Sequence, residues 1–110
     1  KNNKKEEASA YLEEIYNNDS LEIVYRELAL YKYIIINFEN IEVLRMERMI
    51  ESIVINNSML NSYFHEIIGI KYLTLNNKLK ANSIFKELSI DESTPFDQRM
   101  RLDKLIKIAS

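Results

Sequence analysis

The chain has 110 residues, enough for one small domain with a core of its own. One Gly and one Pro are too few turn residues for a sheet protein, and the absence of Cys excludes disulfides, thiolate metal sites and a Cys nucleophile. A net charge of −2 gives no general attraction to nucleic acid.

The hydrophobic share of 46% and charged share of 29% suit a folded soluble chain, and the composition favours helices throughout. Charge is uneven: residues 1–66 carry seven basic and twelve acidic side chains, residues 67–110 eight basic and five acidic. A solvated surface is the favoured reading of this imbalance. No apolar run approaches the roughly 18 residues of a membrane helix, since Tyr33 to Ile36 is short and flanked by Lys32 and Asn37. No signal peptide is visible. The chain starts at Lys1, without Met, so a cut piece of a longer protein is expected, with any anchor in the missing part.

The first helix is expected from Lys4 to Tyr16, with Ala8, Tyr11, Leu12 and Ile15 as its apolar stripe, and Asn17-Asn18 ending it. Ser20 is a suitable N-cap for a second helix running to about Asn37. Its early part is amphipathic through Ile23, Val24, Leu28 and Leu30. Its later part, Tyr31 to Phe38, is apolar nearly all round and is expected to be the most buried helix end. The third helix is expected from about Asn40 to Ile55, with Val43, Met46, Met49, Ile50 and Ile53 inward and Asn56-Asn57 at its end. Ser58 or Asn61 caps the fourth, which ends at Asn76-Asn77. The fifth runs from Lys78 to Leu88. Pro95, with Thr94 as cap, opens the sixth, which turns Leu102, Leu105, Ile106 and Ala109 inward.

Residues 62–95 carry the most specific pattern. The tetratricopeptide signature, W-x2-L-G-x2-Y then A-x3-F then P, has a period of about 34 residues. Here His65 takes the Trp place, Ile68 the Leu place, and Gly69 and Tyr72 follow; Ala81, Phe85 and Leu88 keep the later spacing, and Pro95 comes slightly late. The spacing predicts two facing helices that approach closely where Gly69 meets Ala81. An ordinary amphipathic hairpin is the alternative. The second-helix pattern recurs as Ala8-Leu12-Ile15, Met46-Ile50-Ile53 and Ala81-Phe85-Leu88, at steps of 38 and 35 residues. The expected fold is therefore all-α: a tetratricopeptide-like, right-handed stack of about six antiparallel helices, forming one domain over residues 1–110.

The segments 65–73, 81–88 and 94–105 resemble a bacterial family with a single membrane anchor and a periplasmic domain of such repeats. That family includes an ancillary subunit of the Sec translocon linked to periplasmic chaperones. The resemblance covers residues 62–106 well and residues 4–55 by pattern alone. It implies a protein-binding role, with secretion or envelope proteins as partners, on the periplasmic side of an inner membrane. The chain would be held there only through the missing N-terminal anchor. The cytoplasmic alternative is a scaffold.

The chemical motifs are weak. His65-Glu66 begins like H-E-x-x-H, but Gly69 stands at the fifth position. His65 is the only His, so neither a His-based metal site nor a Ser-His triad can be built within the chain. A satisfied, partly buried His is the favoured reading. Glu13-Glu14 and Asp91-Glu92 read as solubilising pairs. Gly69 is the only Gly, so no phosphate loop exists. Arg99, Arg101, Lys104 and Lys107 make the last helix basic, but Asp97 and Asp103 interleave, which favours a solvated face or an acidic protein partner over nucleic acid.

No enzyme activity, cofactor or metal is expected. In tetratricopeptide folds certain first-helix positions line the concave face. Carried onto this sequence they are Ile23, Arg26, Leu30 and Tyr33, then Tyr63, Glu66, Ile70 and Leu73, then Asp97, Met100, Lys104 and Lys107. Of these, Arg26, Leu30, Tyr33, Tyr63, Glu66, Ile70, Leu73 and Lys104 are the expected partner-binding residues, with Tyr63 and Arg26 foremost. The competing reading is that the apolar ones are plain core or a self-association face. A homo-oligomer built on Ile34 to Ile36 and the open first helix is the alternative function.

Overall fold

The computed structural model describes residues 3–55 and 57–110. Six α-helices follow one another: α1 (Asn3–Tyr16), α2 (Ile23–Ile36), α3 (Val43–Ile53), α4 (Asn61–Thr74), α5 (Lys78–Ile90) and α6 (Phe96–Ile108). A 3-10 turn, Phe38–Asn40, precedes α3. About 76% of the chain is helical and the described residues contain no strand, so the protein is all-α. The helices gather into two compact units, residues 1–61 and 62–110.

In the first unit α1 runs along α2. Tyr16 packs edge-on against Tyr33, ring centroids 5.4 Å apart, and Asn37 Nδ2 donates to Ser9 Oγ at 3.0 Å. Arg26 Nε donates to the carbonyl of Tyr16, the last residue of α1, at 3.0 Å. A cation there satisfies an orphan carbonyl and complements the negative end of the helix dipole. Leu30, Ile34 and Met46 are completely buried.

Several boundaries depart from the sequence expectation for local reasons. Ser20 lies in the turn after α1, its N–H donating to Asn18 Oδ1, and α2 starts three residues later, so Ser20 is not its cap. Glu22 stands at the N-cap instead and makes no side-chain cap bond. Helix α3 starts at Val43 rather than Asn40 because the 3-10 turn occupies Phe38–Asn40. It closes at Ile53, before Asn57, and Asn56 lies outside the described residues. The end of α2 is not the most buried: Ile35 is 50% exposed, and Tyr31, Ile36 and Phe38 are half-buried. Tyr11, Val24 and Leu28, expected on inward stripes, are also exposed. Helix α4 is more enclosed, with Phe64, Glu66, Ile67, Ile68, Gly69 and Lys71 all buried.

The second unit begins with that helix. Its C-terminus is set by Asn76, the one described non-glycine residue in the left-handed region, at φ 66°. The Asn76 N–H bonds to the Leu73 carbonyl and the Asn77 N–H to the Tyr72 carbonyl, at 3.0 and 2.9 Å. This is the paired closure that a left-handed residue just past a helix end permits. Asn77 then caps α5, its side chain accepting from the Lys80 N–H. Two adjacent asparagines thus end one helix and start the next.

Helix α5 lies closest along α6. Their shared core is Ala81, Phe85, Leu88, Leu102 and Ala109, with Ile70, Tyr72, Leu73, Ile84, Leu105 and Ile106 packed against it. Gly69 is buried, but the atoms nearest to where its Cβ would stand belong to the ring of Phe85, not to Ala81. The glycine makes room for an aromatic ring rather than for a second small residue. His65 is exposed rather than partly buried, because the inward positions of α4 fall on Phe64, Ile67 and Ile68.

Pro95 is itself the N-cap of α6, its carbonyl accepting from the Arg99 N–H at 3.0 Å. Thr94, one residue earlier, cannot serve as cap. Its hydroxyl is buried without a hydrogen-bond partner, and the residue as a whole is buried. A buried unsatisfied hydroxyl costs roughly 1–3 kcal/mol. Thr94→Val keeps the shape and removes the hydroxyl, so it should be neutral or stabilising by up to about 1 kcal/mol. Chemical denaturation would show this as an unchanged or raised midpoint; a fall of more than about 1 kcal/mol would mean that the hydroxyl has a partner after all.

Candidate interaction surfaces

Of the eight expected partner-binding residues, three lie in the first unit and five in the second. Leu30 is fully buried and belongs to the core. Arg26 is mostly covered and engaged twice, by the Tyr16 carbonyl and by Asp19 Oδ1 at 3.4 Å, so it closes α1 rather than reaching outward. Tyr33 is half-buried against Tyr16. Ile70 and Leu73 pack on the core of the second unit. Tyr63 is half-buried and Lys104 is exposed.

Glu66 is the most instructive of the eight. It is 5% exposed, and its carboxylate accepts from Gln98 Nε2 at 2.9 Å and from Arg101 Nε and Nη2 at 2.6 and 2.7 Å. Gln98 is wholly buried; its amide also bonds the Ser62 carbonyl and its carbonyl accepts from Ser62 Oγ. The bidentate Arg–carboxylate fork is the strong form of this contact. Four side chains thereby fasten α6 to α4. An acidic residue positioned by analogy on a binding face is here an internal tie.

Glu27 does the same work in the first unit. It is buried, and its carboxylate accepts from Ser58 Oγ at 2.6 Å and from the Ile55 N–H at 3.3 Å, holding the segment after α3 to α2. Both buried carboxylates are engaged by donors and neither is placed as a free acid or base. Among the described residues no group of three or more His, Asp or Glu side chains could hold a metal ion.

Two other groups are shifted by their surroundings. Burial, reinforced by the nearby charge of Glu13, pushes the Tyr16 hydroxyl up to about 12, so it stays neutral at physiological pH. The Asp91 carboxylate is held below its ordinary range by hydrogen bonds from the Ser93 hydroxyl and N–H, and it is a turn-former rather than a reactive group.

What the surface offers instead is apolar area. Between α1 and α2 lies an open groove of about 490 Å³ lined by Ala8, Tyr11, Leu12, Tyr31, Lys32, Ile35 and Ile36. It continues into an exposed stripe on α2. Val24, Leu28 and Ile35 are 44%, 41% and 50% exposed, and Tyr25 beside them is exposed as well. The spacing from Val24 through Leu28 and Tyr31 to Ile35 alternates four and three residues, the repeat of a helix seam. It lies to one side of the face on which α2 buries Leu30 and Ile34. The assumption that a helix of tetratricopeptide type turns Ile23, Arg26, Leu30 and Tyr33 outward hid this stripe. The signal for it was the nearly all-round apolarity of α2 itself.

Basic residues on the outer face of α6 are accompanied by exposed Phe96, Met100 and Ile108. Among the described residues no helix is long and apolar enough to cross a membrane. No protein-family model, curated protein or solved structure matches this chain.

Proposed function

We propose that the chain is a non-catalytic protein-interaction module, a small helical scaffold of tetratricopeptide-like type that presents an apolar helix face to a protein partner. The observation that carries this reading is the exposed stripe of α2 with the adjoining groove against α1. A contiguous apolar patch of several hundred Å² on a small protein marks an interaction surface. Helix faces of this kind seat partner helices through anchors one turn apart.

The repeat-type scaffold draws support from the second unit, where the signature positions Ala81, Phe85 and Leu88 form the core and Gly69 accommodates Phe85. Exposed His65, in the place of the signature Trp, is its weakest point. A site of action on the periplasmic side of a bacterial inner membrane, with secretion or envelope proteins as partners, rests only on the resemblance of residues 62–106.

Val24→Asp tests the reading. Val24 is exposed, so the substitution should leave helix content and thermal stability near those of the parent. Capture of protein partners from an envelope extract should fall at least tenfold, whereas Lys104→Asp on α6 should have little effect. Equal capture by the Val24→Asp variant and the parent would remove the stripe as the binding face.

A further inference from the structure

In the second unit a short loop joins the end of α5 to the start of α6, and Asn82 Nδ2, near the start of α5, donates to the Ile106 carbonyl at 3.3 Å. The two helices therefore run in opposite directions, and the turn between α4 and α5 lies at the same end of the unit as the last turn of α6. We infer that this end docks on an anionic phospholipid surface. Lys78, Lys80 and Lys107 meet the headgroups, while Leu75, Leu79 and Ile108 enter the boundary between headgroups and acyl chains.

The first argument is charge. Residues 67–86 and 104–110 contain no Asp or Glu. Lys78, Lys80 and Lys107 are all exposed. The opposite end of the unit carries exposed Glu87, Asp91, Glu92 and Asp97. One turn back along α6, Asp103 and Lys104 offset each other. The unit thus has a basic end and an acidic end, and a negative surface draws it in basic end first.

The second argument is the kind of cation. The arginines of α6 are engaged within the unit, Arg99 by the Thr94 and Asp91 carbonyls and Arg101 by Glu66. The docking end has lysines only. Arginine is the residue suited to the fixed fork geometry of a protein carboxylate, whereas lysine is a point charge on a flexible stem. Such stems lie along apolar surface and let the ammonium follow headgroups of variable position. The Lys80 ammonium stands 5.7 Å from the centre of the Tyr72 ring, which keeps its charge at this end.

The third is the apolar tip. Leu75, Leu79 and Ile108 are 55%, 86% and 58% exposed. Asn76 and Asn77 close α4 and cap α5 between the two leucines, so the backbone itself holds this turn out. Aliphatic side chains interleaved with lysines match the layered chemistry of a bilayer interface. Binding there sums apolar burial and attraction to anionic lipid, so removing either contribution should release the protein.

The full chain should sediment with vesicles of phosphatidylcholine and phosphatidylglycerol, and at least tenfold more weakly with phosphatidylcholine alone. Added salt should weaken the binding. Lys78→Glu combined with Lys80→Glu should lower it at least tenfold, and Leu79→Ser several-fold. The chain contains no Trp, so Leu79→Trp gives a single reporter, whose emission should shift to the blue on the mixed vesicles. Met59→Trp, exposed in the first unit, should not shift. Val24→Asp should bind vesicles as the parent does, which separates this end from the stripe on α2. Equal binding to both kinds of vesicle, or full binding by the double lysine variant, overturns the inference. So does a shift of Met59→Trp as large as that of Leu79→Trp, or loss of vesicle binding in Val24→Asp. Competition by inorganic phosphate beyond that of chloride at equal ionic strength would make this a site for a soluble anion and overturn the bilayer. Binding of poly-glutamate through Lys78 and Lys80, with vesicles left unbound, would overturn it in favour of an acidic protein partner. If Leu79→Trp fails to fold, the double lysine variant decides the matter alone.

Discussion

Gly69→Leu is expected to cost the second unit about 3 kcal/mol or more, and Gly69→Ala about 1–2 kcal/mol. A Cβ at this position would lie 2.5 Å from Cε1 of Phe85, 3.0 Å from Cδ1 and 3.1 Å from Cζ. Phe85 is fully buried among Ala81, Leu88 and Leu102, so its ring has nowhere to retreat. In a helix interior Ala is ordinarily better than Gly by about 1 kcal/mol, because it restricts the unfolded chain more and shields the backbone. The overlap with Phe85 exceeds that gain, which reverses the usual sign. Leu adds three more carbons into the same space. Thermal unfolding should fall by several degrees for Ala and by more than about ten for Leu. Amide exchange should speed up over residues 62–110 in particular. The pairing is checked by Phe85→Leu in the Gly69→Ala background. If Phe85 is the obstacle, the double variant is more stable than the two single costs add up to. A Gly69→Ala variant at or above the parent's midpoint would show that α4 and α5 can part without cost.

The glycine also shows what the sequence could and could not convey. A lone Gly in a helical pattern signals a close approach, and that much was legible. Its neighbour was not, because the signature pairs Gly69 with Ala81 by analogy, whereas the geometry gives the space to Phe85. The double asparagine at 76–77 was legible as a helix boundary, and the left-handed φ of Asn76 is the physical reason. Ser20 and Thr94 misled as caps. A cap is decided by competition among nearby groups, here Asn18 for the turn and Pro95 for the first helical carbonyl. Helical periodicity correctly turned Met46, Ile50, Ile53 and Leu102 inward, since each sits on a helix with one polar face. On α2 periodicity could not decide, because both faces are apolar. Only packing shows that Leu30 and Ile34 are core while Leu28 and Ile35 are surface. The internal role of Glu66 depends on a bond to Arg101, 35 residues away, which no local pattern encodes.

That bond supports the second large effect. Glu66→Ala is expected to destabilise the protein by about 2–3 kcal/mol. Breaking a buried ion pair by removing one partner typically costs about 3–5 kcal/mol, because the remaining charge is left uncompensated. Here the Arg101 side chain is 50% exposed and can turn to water, which lowers the figure. Gln98 cannot turn: it is fully buried, and without Glu66 its amide keeps only the Ser62 carbonyl as acceptor. The stranded amide proton, rather than the stranded guanidinium, is then the larger part of the loss. This ordering separates three variants. Arg101→Ala should cost about as much as Glu66→Ala, since it leaves a buried carboxylate without its charged partner, held by Gln98. Glu66→Gln should cost less, about 1–2 kcal/mol, because one amide oxygen can still accept from Gln98. Glu66→Leu combined with Gln98→Leu should recover much of the loss by replacing both buried polar groups with apolar ones of similar size. Urea unfolding of the set resolves the order. If Glu66→Ala lies within about 0.5 kcal/mol of the parent, the carboxylate is not part of what holds α6 to α4, and it returns to candidacy as a residue that meets a partner.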